Sequence, residues 1–238
     1  VIRFGVITLY MLIVLVSCQQ EPTVFKRLSA AQTGVNFNNE LAETEEHNVY
    51  RFMNFYTGAG VAVGDVDNDG LLDLYFSGNM ASGRLYLNQG NLKFKDITEA
   101  AGLTNDKWGT GALWGDVNQD GWQDLYVCVS GSAADKRNLL YINQGDGTFK
   151  EQGREYGLDD PRQTQHAAYL DYDNDGDLDL FLIINPAAYE HKVNIVQPRK
   201  TKGEGISTDV LYRNNGDNTF TDVSNSAGIL IEGYSLGL

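Results

Sequence analysis

Three nine-residue stretches repeat one pattern of acids. They read Asp65-Val-Asp67-Asn-Asp69-Gly70-Leu71-Leu-Asp73, Asp116-Val-Asn118-Gln-Asp120-Gly121-Trp122-Gln-Asp124 and Asp171-Tyr-Asp173-Asn-Asp175-Gly176-Asp177-Leu-Asp179. Their first aspartates lie 51 and 55 residues apart. Oxygen ligands at alternate positions of a tight loop converge on one point, which suits a hard divalent cation. Calcium takes six to eight oxygens at about 2.3–2.6 Å and tolerates irregular cages, whereas magnesium demands a near-ideal octahedron and keeps its waters. The expected cofactor is therefore Ca²⁺, about one per repeat, with Mg²⁺ the less suitable ion. The expected ligands are the acids at positions 1, 3, 5 and 9, with the main-chain carbonyl of Leu71, Trp122 or Asp177 at position 7. Gly70, Gly121 and Gly176 supply a turn with positive φ that a Cβ would penalise. Asn118 replaces a carboxylate, so the second loop is expected to bind most weakly.

Two other readings compete. An EF-hand shares the first half of the pattern, but it needs a bidentate Glu at position 12 and flanking helices. Position 12 is Phe76, Val127 or Leu182, each inside an alternating apolar run. Metal-free Asx-turns would also use Asp, Asn and Gly. Against them stands the repulsion among four carboxylates in nine residues when no cation lies between them.

The elements that must hold these loops are short strands. Gly60–Gly64 and Leu72–Phe76 flank the first loop, Gly111–Gly115 and Asp124–Val127 the second, Ala167–Leu170 and Leu178–Leu182 the third. Their period of two marks half-buried strands. A third run follows in each unit, at Arg84–Asn88, Leu139–Asn143 and Val210–Asn214, then a Gly/Asn/Asp turn, then a run centred on Phe94, Phe149 or Phe220. The turns are strong hairpin signals. Four-stranded units of about 50 residues cannot bury both faces alone and must stack, and radial stacking makes a β-propeller. The expected class is all-β, with antiparallel blades at about 58–103, 109–158 and 166–229 and the start of a fourth at 233–238. The aromatic residues Tyr86, Tyr141 and Tyr212 are read as packing between blades.

Gly64-Asp65-Val-Asp-Asn-Asp-Gly-Leu-Leu-Asp-Leu, with Leu85-Tyr-Leu-Asn-Gln-Gly and Phe94-Lys-Asp-Ile-Thr-Glu-Ala-Ala-Gly-Leu, resembles FG-GAP/VCBS repeats, and more narrowly the cartilage acidic protein/ASPIC-UnbV family. The resemblance covers roughly residues 30–238. It implies a seven-bladed propeller, like that of integrin α-subunits, with Ca²⁺ in the loop between the first two strands of a blade. It also implies that the three visible blades are an N-terminal fragment of a longer protein.

The apolar run Phe4–Val16 after Arg3 is too short for a comfortable membrane span and suits a signal-peptide core, so residues 1–17 are expected to be removed. Leu15-Val16-Ser17-Cys18 resembles a bacterial lipobox, which would make Cys18 the lipidated first residue of an exported protein at a bacterial membrane, cell surface or periplasm. Cys128 reads as a small buried apolar residue, and two cysteines leave no disulfide framework. A formal net charge of −14 disfavours nucleic acid and anionic surfaces.

Residues 18–57 read as a linker or edge segment, polar from 38 to 57. Residues 186–209 interrupt the third blade with a locally basic loop carrying Tyr189, His191, Lys192, Arg199, Lys200 and Lys202. A long loop in a compact domain is usually functional or disordered, and this one is the candidate partner contact. Only three histidines are present (His47, His166 and His191), and no nucleophile–base spacing or phosphate-binding Gly loop accompanies them. The leading expectation is a lipid-anchored, calcium-stabilised module that binds an extracellular glycan or protein and is not an enzyme. A propeller-fold hydrolase or lyase, and a structural subunit of a surface assembly, are the alternatives.

Overall fold

The computed structural model describes residues 24–52, 54–131, 135–185, 200–230 and 232–233. A short helical turn, α1 (Ala30–Thr33), precedes the first sheet. That sheet contains β1 (Val61–Gly64), β2 (Asp73–Phe76), β3 (Arg84–Asn88) and β4 (Phe94–Asp96). The second contains β5 (Gly109–Gly115), β6 (Asp124–Val129), β7 (Leu139–Asn143) and β8 (Phe149–Glu151), and a second turn of helix, α2 (Gly153–Tyr156), follows it. The third contains β9 (Thr164–Leu170), β10 (Asp179–Ile184), β11 (Val210–Asn214) and β12 (Phe220–Asp222). Each sheet runs in chain order with antiparallel neighbours, and each acidic loop joins its first strand to its second. The fold is all-β, three propeller-like blades side by side.

Burial follows from position in the stack. In β6 every residue is buried, because it has a blade on both sides. Leu125, Val127 and Val129 face the first blade and meet Ala62, Tyr75 and Leu85. Tyr126 and Cys128 point the other way, toward Ala167, Leu180, Leu182 and Ile184 of the third. A strand covered on both faces reads as a continuous apolar run, and Leu-Tyr-Val-Cys-Val is one. Fully burying side chains such as Leu125 or Leu180 stabilises the stack by about 1.5–3 kcal/mol each. Tyr141 and Tyr212 pack between blades as expected, whereas the buried Tyr86 meets Phe76 of its own blade and Asn36 of the segment before it, and Cys128 is a free, fully buried thiol whose pKa burial pushes up.

Two first strands begin earlier than their alternation suggested. β5 starts at Gly109 and β9 at Thr164, each through a register shift against its partner. His166 therefore lies inside β9, not ahead of it, exposed and beside Gly111 of β5. Residues 36–42 lie against the first blade. Tyr86 Oη donates to Asn36 Oδ1 at 2.8 Å, Phe37 stacks on Phe76 with ring centroids 5.4 Å apart, and Asn39 and Asn79 are joined by two hydrogen bonds. The polar stretch 38–57 contains a small aromatic core, Phe52 and Phe55 packed on Trp108.

The signal core and Cys18 lie outside the described residues, as do Tyr189, His191, Lys192 and Arg199 of the basic loop and most of the expected fourth-blade start. Lys200 is tied down at its main chain: its N–H donates to Glu232 Oε2 at 3.2 Å and its carbonyl accepts from Glu232 N–H at 3.0 Å. Lys202 is exposed. Among the described residues no helix is long and apolar enough to cross a membrane.

Candidate metal centres

Each loop is shaped first by its own carboxylates accepting from its own backbone. Asp65 accepts from Asp69 N–H at 3.1 Å and Gly70 N–H at 2.9 Å. Asp116 accepts from Asp120 N–H at 3.0 Å and Gly121 N–H at 2.9 Å, and Asp171 from Asp175 N–H at 3.1 Å and Gly176 N–H at 3.3 Å. The fifth residue caps the seventh: Leu71, Trp122 and Asp177 donate to Asp69, Asp120 and Asp175 at 2.7, 2.9 and 3.1 Å. The sixth-position glycines sit at φ 86°, 89° and 93°. A Cβ there would meet nothing within 4 Å, so backbone angle rather than space demands glycine.

The fourth position carries a second left-handed residue that the motif reading overlooked. Asn68, Gln119 and Asn174 have φ 57°, 58° and 62°. Asn tolerates this conformation through local hydrogen bonding, and its recurrence in loops one and three was a readable signal.

The ninth carboxylate is the anchor. Asp73, Asp124 and Asp179 are at most 1% exposed. Oδ2 accepts from the second loop residue, Val66, Val117 or Tyr172, at 3.0, 3.1 and 2.6 Å. Oδ1 accepts from the last residue of the third strand, Asn88, Asn143 or Asn214, at 2.7, 2.9 and 2.8 Å. One buried acid thus fastens the loop mouth to the middle of its blade.

The anchor also completes the acidic clusters. One carboxylate oxygen from each of Asp65, Asp67 and Asp73 lies within 4.8 Å of the others, and Asp171, Asp173 and Asp179 form the same group. Oxygens on this scale fit a divalent cation at their centre, which would take Asp65, Asp67 and Asp73, or their third-loop counterparts, as first ligands. Asp69 and Asp175 stand outside these triads among the described residues, engaged with position seven. The second loop forms no such triad of acids among the described residues. Asn118 occupies the third position, and its Nδ2 donates to Asp120 Oδ2 at 2.9 Å.

Electrostatics agree that these loops want positive charge. Burial pushes the Asp124 carboxyl up to about 7, helped by Asp120 and Asp116 and opposed by its two N–H donors. Burial, then Asp69, raises Asp67, and burial raises Asp73 despite its donors. Asp177 is raised by burial and then by Asp175, and its Oδ1 is buried without a hydrogen-bond partner among the described residues.

The loops interlock between blades. Asn68 Nδ2 donates to Gly121 O at 3.1 Å, and Gln119 Nε2 to Gly176 O at 3.3 Å. In return Asn143 Nδ2 donates to Val66 O at 2.9 Å and Asn214 Nδ2 to Val117 O at 3.0 Å. A separate cavity of about 350 Å³ lies beyond the far end of β2, lined by His47, Asn79, Met80, Ser82, Asn105 and Trp108. His47 Nδ1 and Trp108 Nε1 are buried without a hydrogen-bond partner among the described residues.

The FG-GAP-like repeat family matches residues 65–127 and 128–182. Human cartilage acidic protein 1 is 28% identical over 151 residues, 58% of this chain and 22% of its own length. The mouse protein of the same name is 30% identical over 123 residues, 51% of this chain and 18% of that one. The chain thus spans about a fifth of the length of the curated relatives it matches. A solved structure of an Agrocybe aegerita lectin that recognises non-reducing terminal N-acetylglucosamine superposes with a TM-score of 0.32 at 20% identity, covering 67% of this chain and 50% of that one. Three acidic loops, repeated strand endings and two adjoining family matches have one explanation: the chain carries FG-GAP-like repeats across residues 65–182 and is homologous to cartilage acidic protein 1.

Proposed function

We propose that this chain is the calcium-stabilised propeller part of an exported, lipid-anchored binding protein, and that its partner is an extracellular glycan or protein. The observation that carries the reading is the convergence of Asp65, Asp67 and Asp73, and of Asp171, Asp173 and Asp179, each triad set on a buried anchor that spans its blade. Such loops stiffen a scaffold, and binding residues tend to sit on the loops a rigid scaffold presents. The relatives' name, cartilage acidic protein, supports an extracellular setting. The cavity beside Trp108, with its mixed lining and two unpaired ring nitrogens, supports a polar ligand such as a sugar. The anchor is Cys18, and no nucleic-acid role is proposed for a chain of net charge −14. Catalysis is not proposed: the carboxylates are engaged as loop ligands and anchors, and the described histidines, His47 and His166, stand apart from them.

The test is calorimetry on the whole protein, first with Ca²⁺ alone and then with a glycan and surface-protein panel in saturating Ca²⁺. The first and third loops are expected to bind one ion each, in the weak range of about 10⁻⁴–10⁻³ M common to extracellular calcium modules. No heat at millimolar Ca²⁺ overturns the metal reading, and no panel partner below millimolar affinity overturns the binding role.

A further inference from the structure

We infer that the cavity beyond the far end of β2 is a binding site for one neutral sugar ring, held by His47, Asp106 and Trp108. This rests on the reading of the chain as a glycan- or protein-binding module and commits that reading to a glycan.

The cavity is a departure from the repeat. Trp108 stands eight residues before Asp116, and Gln163 stands eight residues before Asp171. Each accepts at its main-chain carbonyl from the residue that follows its blade's second strand, Trp108 from Ser130 N–H and Gln163 from Asn185 N–H, both at 3.0 Å. The two residues are therefore equivalent. Between the second and third blades this place is closed: Ser130 Oγ donates to Gln163 Oε1 at 3.3 Å and accepts from Gln165 Nε2 at 3.2 Å. Between the first and second, Asn79 takes the place of Ser130, and Asn79 and Trp108 line an open volume of about 350 Å³.

The walls are fixed within the protein. Asn79 Nδ2 donates to Gly58 and Gly109 O at 3.1 and 2.9 Å, and its Oδ1 accepts from Asn39 Nδ2 at 2.6 Å. Asn105 N–H donates to Ser82 Oγ at 3.1 Å, and Asn105 Oδ1 accepts from Lys107 N–H at 3.1 Å. Phe52 and Phe55 pack on the Trp108 ring, and a Cβ on Gly131 would meet its Cγ at 2.8 Å, so the indole is clamped. His47 is set by a tight turn, its N–H donating to Thr44 Oγ1 at 2.9 Å. A lining that is already ordered loses little conformational entropy on binding.

What remains unpaired defines the ligand. Trp108 Nε1 and His47 Nδ1 are buried without a partner among the described residues, so their partner has to come from whatever fills the cavity. The indole N–H only donates and needs an acceptor, while the imidazole nitrogen takes either role according to its tautomer. The exposed Asp106 carboxylate only accepts and needs a donor. A hydroxyl does both, so a ring carrying several satisfies all three and replaces water oxygen for oxygen. Charge of either sign fits poorly. No Lys or Arg lines the cavity among the described residues, and Lys107 is paired with Asp135 at 2.7 Å, so an anion finds no counter-charge. A simple ammonium offers no acceptor to Trp108. A peptide would want a free strand edge or an apolar groove, and Met80 and Ala81 are the apolar side chains here apart from Trp108. The volume is at the small end for ligand pockets, which suits one ring rather than a chain.

NMR of the indole N–H groups in the whole protein, in saturating Ca²⁺, tests this. The probes are the methyl glycosides of glucose, galactose, mannose, fucose and N-acetylglucosamine, with glucuronate as the anionic control. At least one neutral glycoside should shift the Trp108 signal at millimolar concentration and leave those of Trp114 and Trp122 in place. Asp106→Ala, at an exposed position, should keep the fold and weaken binding about 10–100-fold, the loss of a hydrogen bond to a charged group. Trp108→Phe should weaken it about 2–10-fold. A glycoside that binds with the Trp108 signal unmoved and its affinity unchanged by Asp106→Ala overturns this site and leaves the wider glycan reading standing. No shift with any neutral glycoside also overturns the site, and a protein partner found by calorimetry would then carry the binding role alone. A larger shift with glucuronate than with the glucoside overturns the choice of a neutral ligand.

Discussion

The side-chain amide of Asn143 donates to the main-chain carbonyl of Val66 at 2.9 Å, across 77 residues and a blade boundary. Asn214 and Val117 repeat the contact at 3.0 Å. Both side chains also close a local turn, since their Oδ1 atoms accept from Gly145 and Gly216 N–H at 3.0 and 3.1 Å. Asn88 holds the same repeat position and the same local turn, but among the described residues its Nδ2 meets only Leu72 O of its own blade, in an exposed setting. The three asparagines therefore separate a local role from an interblade one.

Substitution by alanine should expose that difference. Removing a partner from a buried carbonyl costs about 1–3 kcal/mol. Asn143→Ala and Asn214→Ala should each lower unfolding free energy by an amount in this range, and Asn88→Ala by less than half as much. Urea denaturation in the presence of Ca²⁺ reads the comparison. Equal losses at all three positions would show that only the local turn matters.

The connection from the second blade to the third is held by an ion pair that no motif announced. Asp160 is 2% exposed, accepts from Arg162 Nε at 2.9 and 3.0 Å, and accepts from Tyr212 Oη at 2.7 Å. Arg162 keeps about a third of its side chain in water and has Asp222 in reach at 3.6 Å. Breaking such a pair is asymmetric. Arg162→Met strands a buried carboxylate and should cost about 3–5 kcal/mol at neutral pH. Asp160→Asn leaves a cation that can turn to solvent or Asp222 and should cost less, about 1–3 kcal/mol. Thermal unfolding at neutral pH checks the order of the two variants, and a larger loss for Asp160→Asn than for Arg162→Met would overturn it.

The strands and loops were legible because both rest on local rules. Period-two runs such as Leu72–Phe76 and turns such as Gln144-Gly145-Asp146-Gly147 depend on neighbours, and the third strands fall where alternation places them. What escaped is nonlocal. The partner of Asn143 lies 77 residues away and that of Asn68 lies 53 away, so neither contact leaves a periodic trace. The ninth-position acids looked like ligands alone, since nothing in their spacing shows that Asn88, Asn143 and Asn214 N–H converge on them. The left-handed fourth position was hidden in the second loop by Gln119, a residue that seldom adopts it. The early starts of β5 and β9 were masked by irregular register, which interrupts the alternation.

Asp124 ties proton release to metal binding. Its folded-state pKa of about 7 stands above an unfolded value of about 3.9. Without a cation, its contribution to stability is complete below the unfolded value and is lost as pH rises through about 7. A cation reverses the preference because it binds the ionised form. Calcium added near pH 6 should therefore displace up to about one proton at the second loop, and little above about pH 8. Calorimetry in two buffers of different ionisation enthalpy reads this directly. Buffer-independent heats at about pH 6, with Ca²⁺ bound, would show that Asp124 is already ionised in the free protein.

Asn118→Asp restores the carboxylate that the second loop lacks, and its effect should change sign with calcium. In the absence of metal the substitution exchanges the 2.9 Å Asn118–Asp120 hydrogen bond for repulsion between the introduced carboxylate and Asp116, Asp120 and the buried Asp124. Like charges at such separations disfavour the folded loop, so the metal-free variant should melt lower than the parent. With millimolar Ca²⁺ the same charge becomes a ligand, and the loop then matches the Asp65–Asp67–Asp73 triad of the first blade. Binding to the folded form alone raises stability by mass action, about 2.7 kcal/mol at a hundredfold excess over Kd. The variant should therefore gain more from Ca²⁺ than the parent does, and calorimetry should count one further site of comparable strength. Parallel melting curves for parent and variant across a calcium titration would mean that the second loop's carboxylates do not meet at a cation.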